Sequence, residues 1–523
     1  MSFWLVSLWA LAGQPMQAAV LEAWTVRYNN SSNDQAAAVA VDSHGNVVVT
    51  GSSRAGLTNS TSDYYTAKYA AADGTLLWER RYDGPDHGDD SAYAVAVDDN
   101  GNVIVTGSSI TENPPRHDVD FYTAKYAATN GAILWERRYN GPANRDDQAT
   151  GLALDAVGNV IVIGFSSNGT NFDYYTAKYA ATNGALLWET RYNSPSNHDD
   201  QATAVAVDSG GNAIVTGYSD NGTSYDYYTA KYAAANGAVI WERRYNGPAN
   251  RDDQATAVAV DRSGNVLVTG YSRNPTPDSD NDFYTAKYAA ADGAILWERR
   301  YNSPAGRNDQ PTALAVDGNE NVIVTGFSFN ATPNVDEDFY TAKYAATNGA
   351  ILWEKRFNGP AQSDDQATAV AVESSGNVIV TGYSNHGPPN NDLDYYTAEY
   401  AAADGTLLWE QRYNSAGNGE DYPSPTRSLA LGPNGMVAVT GTSASDYLTV
   451  VYRETLPAIS IDLVLAGPRL RFAATPGNYN LERALNVTGP WSTNATLISS
   501  SNGILEYIDT NAPAGSAFYR VSR

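Results

Sequence analysis

Aspartates are the residues of this sequence whose spacing could do chemistry. A doublet recurs as Asp89/Asp90, Asp146/Asp147, Asp199/Asp200, Asp252/Asp253 and Asp364/Asp365, with a single Asp309 at the corresponding place. A second set, Asp118/Asp120, Asp278/Asp280/Asp282, Asp336/Glu337/Asp338 and Asp392/Asp394, falls in variable stretches. Hard cations take oxygen ligands. A ring of Asp90, Asp147, Asp200, Asp253, Asp309 and Asp365, joined by Asp120, Asp282, Asp338 and Asp394, could therefore hold calcium or receive a cationic partner. Asp278-Ser279-Asp280-Asn281-Asp282 comes nearest to a calcium loop, making Asp278, Asp280 and Asp282 the metal candidates, although the glycine and distal glutamate of an EF-hand are missing. The competing reading is that each aspartate accepts N–H bonds from its own loop. A residue repeated in nearly every copy favours that structural reading.

Little else points to catalysis, and no catalytic residue is assigned. His44, His87, His117, His198 and His386 fall in expected loops, and none has metal-ligand spacing with another. No GxSxG, HExxH, P-loop or dinucleotide fingerprint is present. There is no cysteine, which removes disulfides, thiolate metal sites and cysteine nucleophiles. Apart from calcium, no cofactor is expected.

The elements that must position these aspartates form a repeat. Its opening aspartate recurs at Asp34, Asp90, Asp147, Asp200, Asp253, Asp309 and Asp365, at intervals of 56, 57, 53, 53, 56 and 56 residues, and a divergent eighth copy begins near Tyr422. Each copy holds four strand candidates, A to D. In the fourth copy they are ATAVAV at 202–207, AIVTG at 213–217, DYYTAKYA at 226–233 and VIWERRY at 239–245, separated by Gly/Asn turns. In strands C and D, Lys231, Glu242 and Arg243 are expected to form cross-strand pairs. Strand C occurs eight times, but the strand D tryptophan follows only the first seven: Trp78, Trp135, Trp188, Trp241, Trp297, Trp353 and Trp409. The missing strand lies at the other end of the chain, where LEAWTVRYN at 21–29 matches LLWERRYN with Trp24 in register.

The expected fold is all-β. Residues 21–453 form an eight-bladed β-propeller whose last blade has three strands plus one from the N-terminus, a closure that leaves no open ring end. The D-to-A and B-to-C loops then share one face. The B-to-C loops vary in length while the opposite turns do not, so binding is expected on this acidic face, around the axial channel. The VDRSGNVLVTG segment at 260–270 and the AKYAAADGTLLWERRY segment at 67–82 resemble the bacterial β-propeller repeat family abbreviated SBBP. That family's name implies seven blades, whereas eight are counted here. The resemblance implies a secreted or surface protein without a common activity. Ala72-Asp73-Gly74 followed by Trp78 resembles the tryptophan-docking motif of eight-bladed quinoprotein dehydrogenases, which implies an enzymatic alternative, as does a polysaccharide-active acidic face. The simpler expectation is that each tryptophan packs between blades.

After Pro457 the pattern changes. Residues 458–523 read as a small β-sandwich, with strands at 469–473, 478–483, 503–508 and 517–521, and the LERALNVTGPW and APAGSAFYRV segments resemble fibronectin type III-like modules. Residues 1–19 contain a short apolar run, FWLVSLWALA, followed by small residues. They resemble a signal peptide, so a bacterial extracellular or periplasmic location is expected. The 523-residue chain carries a formal charge of -25, the wrong sign for nucleic acid or anionic membrane surfaces. Membrane insertion is not expected, nor is oligomerisation. A protein or carbohydrate ligand bound by a non-catalytic scaffold is the leading functional expectation.

Overall fold

The computed structural model describes residues 20–30, 33–54, 61–113, 116–275, 280–330, 336–387, 392–415, 419–425 and 427–454, and 460–464, 467–474, 477–484, 492–499, 503–508 and 518–522. The signal-peptide segment 1–19 and Asp278 lie outside the described residues. No helix among the described residues is long and apolar enough to cross a membrane. The chain divides into two compact units, one spanning Glu22–Val451 and the other containing Tyr452–Arg523.

The larger unit is an eight-bladed β-propeller. Seven blades are four-stranded antiparallel meanders. The fourth, for example, runs Asp200–Val207, Ala213–Asp220, Tyr225–Tyr232 and Val239–Tyr245 in that spatial order. The eighth blade takes its strands from both ends of the sequence: Val20–Tyr28 lies beside Asp446–Glu454, which lies beside Met436–Ser443. Its innermost strand is broken into Asp421–Pro423 and Leu429–Gly432 by the proline-containing stretch between them. Arg27 Nη1 meets Asp446 Oδ2 at 3.3 Å across this closure.

Each blade buries both faces because aromatic residues fill the wedge between neighbours. The last strand D aromatic of one blade stacks on the strand C tyrosine of the next, as Tyr82 does on Tyr122 at 3.6 Å and Tyr192 on Tyr228 at 3.8 Å. Strand A carries a bulge, at Thr203 in the fourth blade, and Thr203 Oγ1 donates to Ala255 O of the next blade. Facing the bulge is the glycine of the VTG segment. A Cβ on Gly217 would lie 2.1 Å from Gln201 O and 2.6 Å from the Tyr174 hydroxyl, so no side chain fits there.

The strand D tryptophans dock blade to blade. Trp78 Nε1 donates to Ala128 O at 3.1 Å, and Trp24, from the N-terminal strand, donates to Ala71 O at 3.1 Å. The Gly131 turn lies so close to the Trp78 ring that a Cβ would approach it to 2.6 Å. Arg80 reaches the same turn, donating from Nε to Gly131 O at 2.7 Å. The expected cross-strand pairing of Lys231, Glu242 and Arg243 is therefore corrected. Lys231 pairs with Asp208 of the A–B turn at 2.9 Å and donates to Ala290 O in the next blade's C–D turn at 2.9 Å, Glu242 accepts from the Tyr228 hydroxyl at 2.6 Å, and Arg243 donates to Gly293 O of the next blade at 2.8 Å. Lys231 is buried, and a buried ammonium needs a carboxylate; the turn supplies one where the adjacent strand offers Trp241.

This docking explains the seventh copy, which has Glu399 in place of the lysine and Gln411 in place of the arginine. The eighth blade joins strands C and D from opposite chain ends and so has no C–D hairpin turn to receive them. Glu399 instead accepts from Trp409 Nε1 within its own blade, and from Asn377 Nδ2 at 2.7 Å.

The smaller unit contains two three-stranded antiparallel sheets. One orders Ser460–Val464, Gly467–Ala474 and Gly503–Ile508; the other orders Ser492–Ser499, Gly477–Ala484 and Phe518–Ser522. Ser460–Val464 and Ser492–Ser499 were not among the strands expected from sequence.

Glu399→Lys, which restores the repeat's own residue, removes the acceptor of Trp409 and offers an ammonium without the next-blade C–D turn carbonyl that Lys231 meets at Ala290. Urea unfolding of this variant is expected to show a loss of about 1–3 kcal/mol, the cost of an unsatisfied buried polar group. A consensus gain in stability would contradict the docking explanation.

Candidate functional site

The ring aspartates belong to the interior of the loop face. Asp90, Asp147, Asp200, Asp253, Asp309 and Asp365 are each fully buried at the start of strand A. Each accepts a hydrogen bond from the backbone N–H six residues earlier, as from Gly84 at 2.6 Å, Ser194 at 2.6 Å and Gly247 at 2.6 Å. The D–A loop between donor and acceptor is a fixed turn with a left-handed residue at its apex: His87, Asn144, Asn197 or Asn250. Asp34, accepting from Asn30 N at 2.7 Å, and Asp421, accepting from Ser415 N at 2.6 Å, bring the set to eight. Sequence reading missed Asp421 by starting the last copy at Tyr422, although Asp421 continues the 56-residue interval from Asp365.

Asp120, Asp282, Asp338 and Asp394, at the start of strand C, are also buried. They meet strand D arginines: Arg138 at 3.0 Å, Arg300 at 3.2 Å, Arg356 at 3.0 Å and Arg412 at 3.1 Å. Those arginines also donate to strand B serines, as Arg138 does to Ser109 Oγ at 2.7 Å, and to the previous blade's tyrosine, as Arg356 does to the Tyr301 hydroxyl at 3.0 Å. The expectation of an open carboxylate ring is corrected to this extent. These ten side chains are inside the blades because six satisfy loop N–H groups and four satisfy guanidinium groups that would otherwise be buried without partners. Of the metal candidates, Asp280 and Asp282 are buried side by side on one strand start, with Asn274 Nδ2 donating to Asp280 at 3.0 Å and to Asp282 at 2.8 Å.

The first aspartate of each doublet stays nearer the surface and clamps the neighbouring blade. Asp199 Oδ1 accepts from Phe172 N at 2.9 Å, and Asp146 Oδ1 accepts from Val119 N at 3.2 Å. Around these two, the loop lengths differ. The B–C loop of the second blade continues its strands as a ribbon, Val103–Asn113 paired with Arg116–Tyr126 through Thr111↔Asp118. The third blade closes the same connection with a short turn held by Asn168, whose Oδ1 accepts from Thr170 N at 2.9 Å. A tall ribbon beside a low turn leaves a recess of about 530 Å³, lined by Asp118, Arg145, Asp146, Asn171, Phe172 and Asp199 among others. Phe172 packs edge-on against Phe165 at 4.9 Å. Three carboxylates there face one guanidinium, so the recess is net negative.

Arg427 of the eighth blade reaches the third blade at Gly151, where a Cβ would come within 2.4 Å of Nη2. The other copies show alanine at that place, as at Ala204 and Ala257, so the glycine makes room for the guanidinium. Burial lowers the Arg427 pKa to about 10.

Two groups of aspartates titrate in opposite directions. Burial pushes Asp90, Asp147, Asp200 and Asp365 up to about 6. On the opposite face, Asp42, Asp98, Asp155, Asp208, Asp261 and Asp317 are held below the usual carboxylate range. Burial there opposes ionisation, but lysine and asparagine partners outweigh it, such as Lys68 at 2.8 Å from Asp42.

Residues 173–387 match the family described as outer membrane protein assembly factor BamB. Among curated proteins none matches. Of solved structures, Sqt1 from Chaetomium thermophilum bound to the N-terminus of the ribosomal protein L10 is similar at 13% identity, with a TM-score of 0.52 over 83% of this chain and 99% of that one. BamB from Moraxella catarrhalis is similar at 12% identity, with a TM-score of 0.48 over 83% of this chain and 100% of that one. Quinohemoprotein alcohol dehydrogenase from Comamonas testosteroni is similar at 10% identity, with a TM-score of 0.49 over 85% of this chain and 79% of that one. The likeness to Sqt1 shows the propeller fold and nothing of a ligand.

A carboxyl raised in the folded state stabilises the fold below its unfolded pKa and loses that contribution as pH rises through the folded value. Stability in chelator-containing buffer is therefore expected to increase by at least about 1 kcal/mol between pH 7 and pH 5, less than one pKa unit's worth for a single group. It should fall again below about pH 3.8, where the lysine-paired group protonates. Urea midpoints at pH 7, 5 and 3 check this; a monotonic decline from pH 7 would contradict it.

Proposed function

We propose that this propeller is a non-catalytic binding scaffold that captures an extended, positively charged protein segment in the recess between its second and fourth blades. The observation that carries the reading is the recess itself, which the unequal B–C loops of the second and third blades open beside three carboxylates, a guanidinium and an aromatic ring. In the recess, Asp146 and Asp199 each commit one oxygen to a backbone clamp and line the opening together with Asp118, Arg145 and Phe172. Acidic walls on a chain of net charge -25 favour a cationic ligand and speed its encounter. Sqt1, of the same fold, is recorded bound to the N-terminus of another protein, which supports a terminal or extended segment as ligand. The near-equivalence of the blades supports a scaffold over an enzyme, which would set one constellation apart.

An extracellular or periplasmic location fits the apolar N-terminal run and the likeness to an outer membrane assembly factor's family. The SBBP-type repeat and the fibronectin-like reading of the tail belong to the same picture of a surface protein with an appended module.

Fluorescence anisotropy with lysine- and arginine-rich peptides, scored beside acidic peptides and a glycan array, tests the ligand class. Basic peptides are expected to bind with an affinity that falls as salt rises, and Asp146→Asn with Asp199→Asn to weaken binding at least tenfold, about 1.4 kcal/mol. Binding confined to glycans, or a double variant that binds as well as the parent, would overturn this reading.

A further inference from the structure

The junction of the first and second blades carries a substitution at the residue that follows the strand D aromatic. The position after the strand D aromatic is asparagine at Asn29, Asn140, Asn193, Asn246, Asn302, Asn358 and Asn414, but aspartate at Asp83. Asp83 thereby joins Asp63, which opens strand C of the first blade, and Asp90, which opens strand A of the second. One oxygen from each of the three lies within 4.8 Å of the others. Oxygens that close can share one ion at about 2.4 Å, the calcium–oxygen distance.

A second observation concerns what these carboxylates lack. Asp63 and Asp90 are 4% and 0% exposed. Each uses Oδ2: Asp63 for Arg81 Nη1 at 2.7 Å, Asp90 for Gly84 N at 2.6 Å. Oδ1 of each is buried and makes no hydrogen bond of ordinary geometry, as at Asp338 and Asp365 of the later junction, but among the described residues only here does a third carboxylate lie against the pair. Buried carboxylate oxygens without donors are costly unless a cation meets them. The loop over them is stripped for close approach, since a Cβ on Gly84 would lie 3.0 Å from Asp90 Oδ1. Asp83 is exposed and gives the cluster its route to solvent. The nearby cations do not neutralise it. Arg81 is the partner of Asp63, and His87 Nδ1 lies 2.7 Å from Asp83 Oδ2 at the exposed rim.

We propose that Asp63, Asp83 and Asp90 form a calcium site that pins the first blade to the second. The ion meets the two buried Oδ1 atoms and one oxygen of Asp83, with water completing the shell on the exposed side. A larger, flexible oxygen shell of this kind suits calcium over magnesium, which demands near-octahedral geometry and keeps its waters.

The test is isothermal titration of the chelator-stripped full chain with calcium chloride, with thermal unfolding as a second readout, on the parent and on Asp83→Asn. Asparagine occupies this position in the other blades, so the variant keeps the fold, which circular dichroism verifies. The parent is expected to bind calcium and to unfold several degrees higher with it, and magnesium at equal concentration to do much less. Asp83→Asn is expected to lose one equivalent of bound calcium or to weaken that equivalent more than tenfold. No calcium binding by the parent, or unchanged stoichiometry and affinity in Asp83→Asn, would overturn the proposal.

Discussion

Seven of the eight blades of this propeller are held by a tryptophan in the outermost strand that reaches into the hairpin turn of the next blade. Trp78 Nε1 on Ala128 O is the pattern, with Gly131 bare so that the ring can lie against the turn. The contact runs in one direction around the ring and so sets a requirement at the place where the chain ends meet. Trp24 satisfies it from the N-terminal strand, donating to Ala71 O of the first blade. Trp409 faces a blade with no such turn, and there the sequence changes so that Glu399 accepts the indole N–H instead. The whole ring, including its exceptions, follows from one contact and the single point at which it cannot be made.

The blade count, the strand order and the closure were legible in the sequence, because a 3+1 blade leaves an arithmetic trace: eight copies of strand C, seven tryptophans behind them, and Trp24 alone at the front. What the buried charges do was less legible. Lys231, Glu242 and Arg243 sit at spacing that suggests mutual pairing, yet Lys231 and Arg243 find their partners in turns and Glu242 in a strand C tyrosine, and periodicity carries no information about turns. The repeated aspartates presented both a ligand ring and a set of loop anchors. Burial separates the two, and burial of Asp147 or Asp253 depends on how the D–A loop folds back over it.

Repetition also decides where binding can occur. When every copy spends its carboxylates on its own loop N–H groups and arginine, function must come from departures. The second blade's extended ribbon beside the third blade's short turn makes the recess. Gly151 makes room for Arg427, which reaches from the eighth blade to the third. Asp83 in place of asparagine gathers three carboxylate groups at one junction. None of these alters the strand framework, which is why the framework can carry them.

The closure is tested most directly by removing it and giving it back. The account predicts that a chain lacking residues 1–28 unfolds at a lower temperature than the full chain, and that a peptide of sequence VLEAWTVRYN raises its midpoint by adding to the exposed edge of Asp446–Glu454, whereas the same peptide with alanine for tryptophan does not. A truncated chain that unfolds where the full chain does, or a response equal for both peptides, would contradict a ring closed by the N-terminal strand.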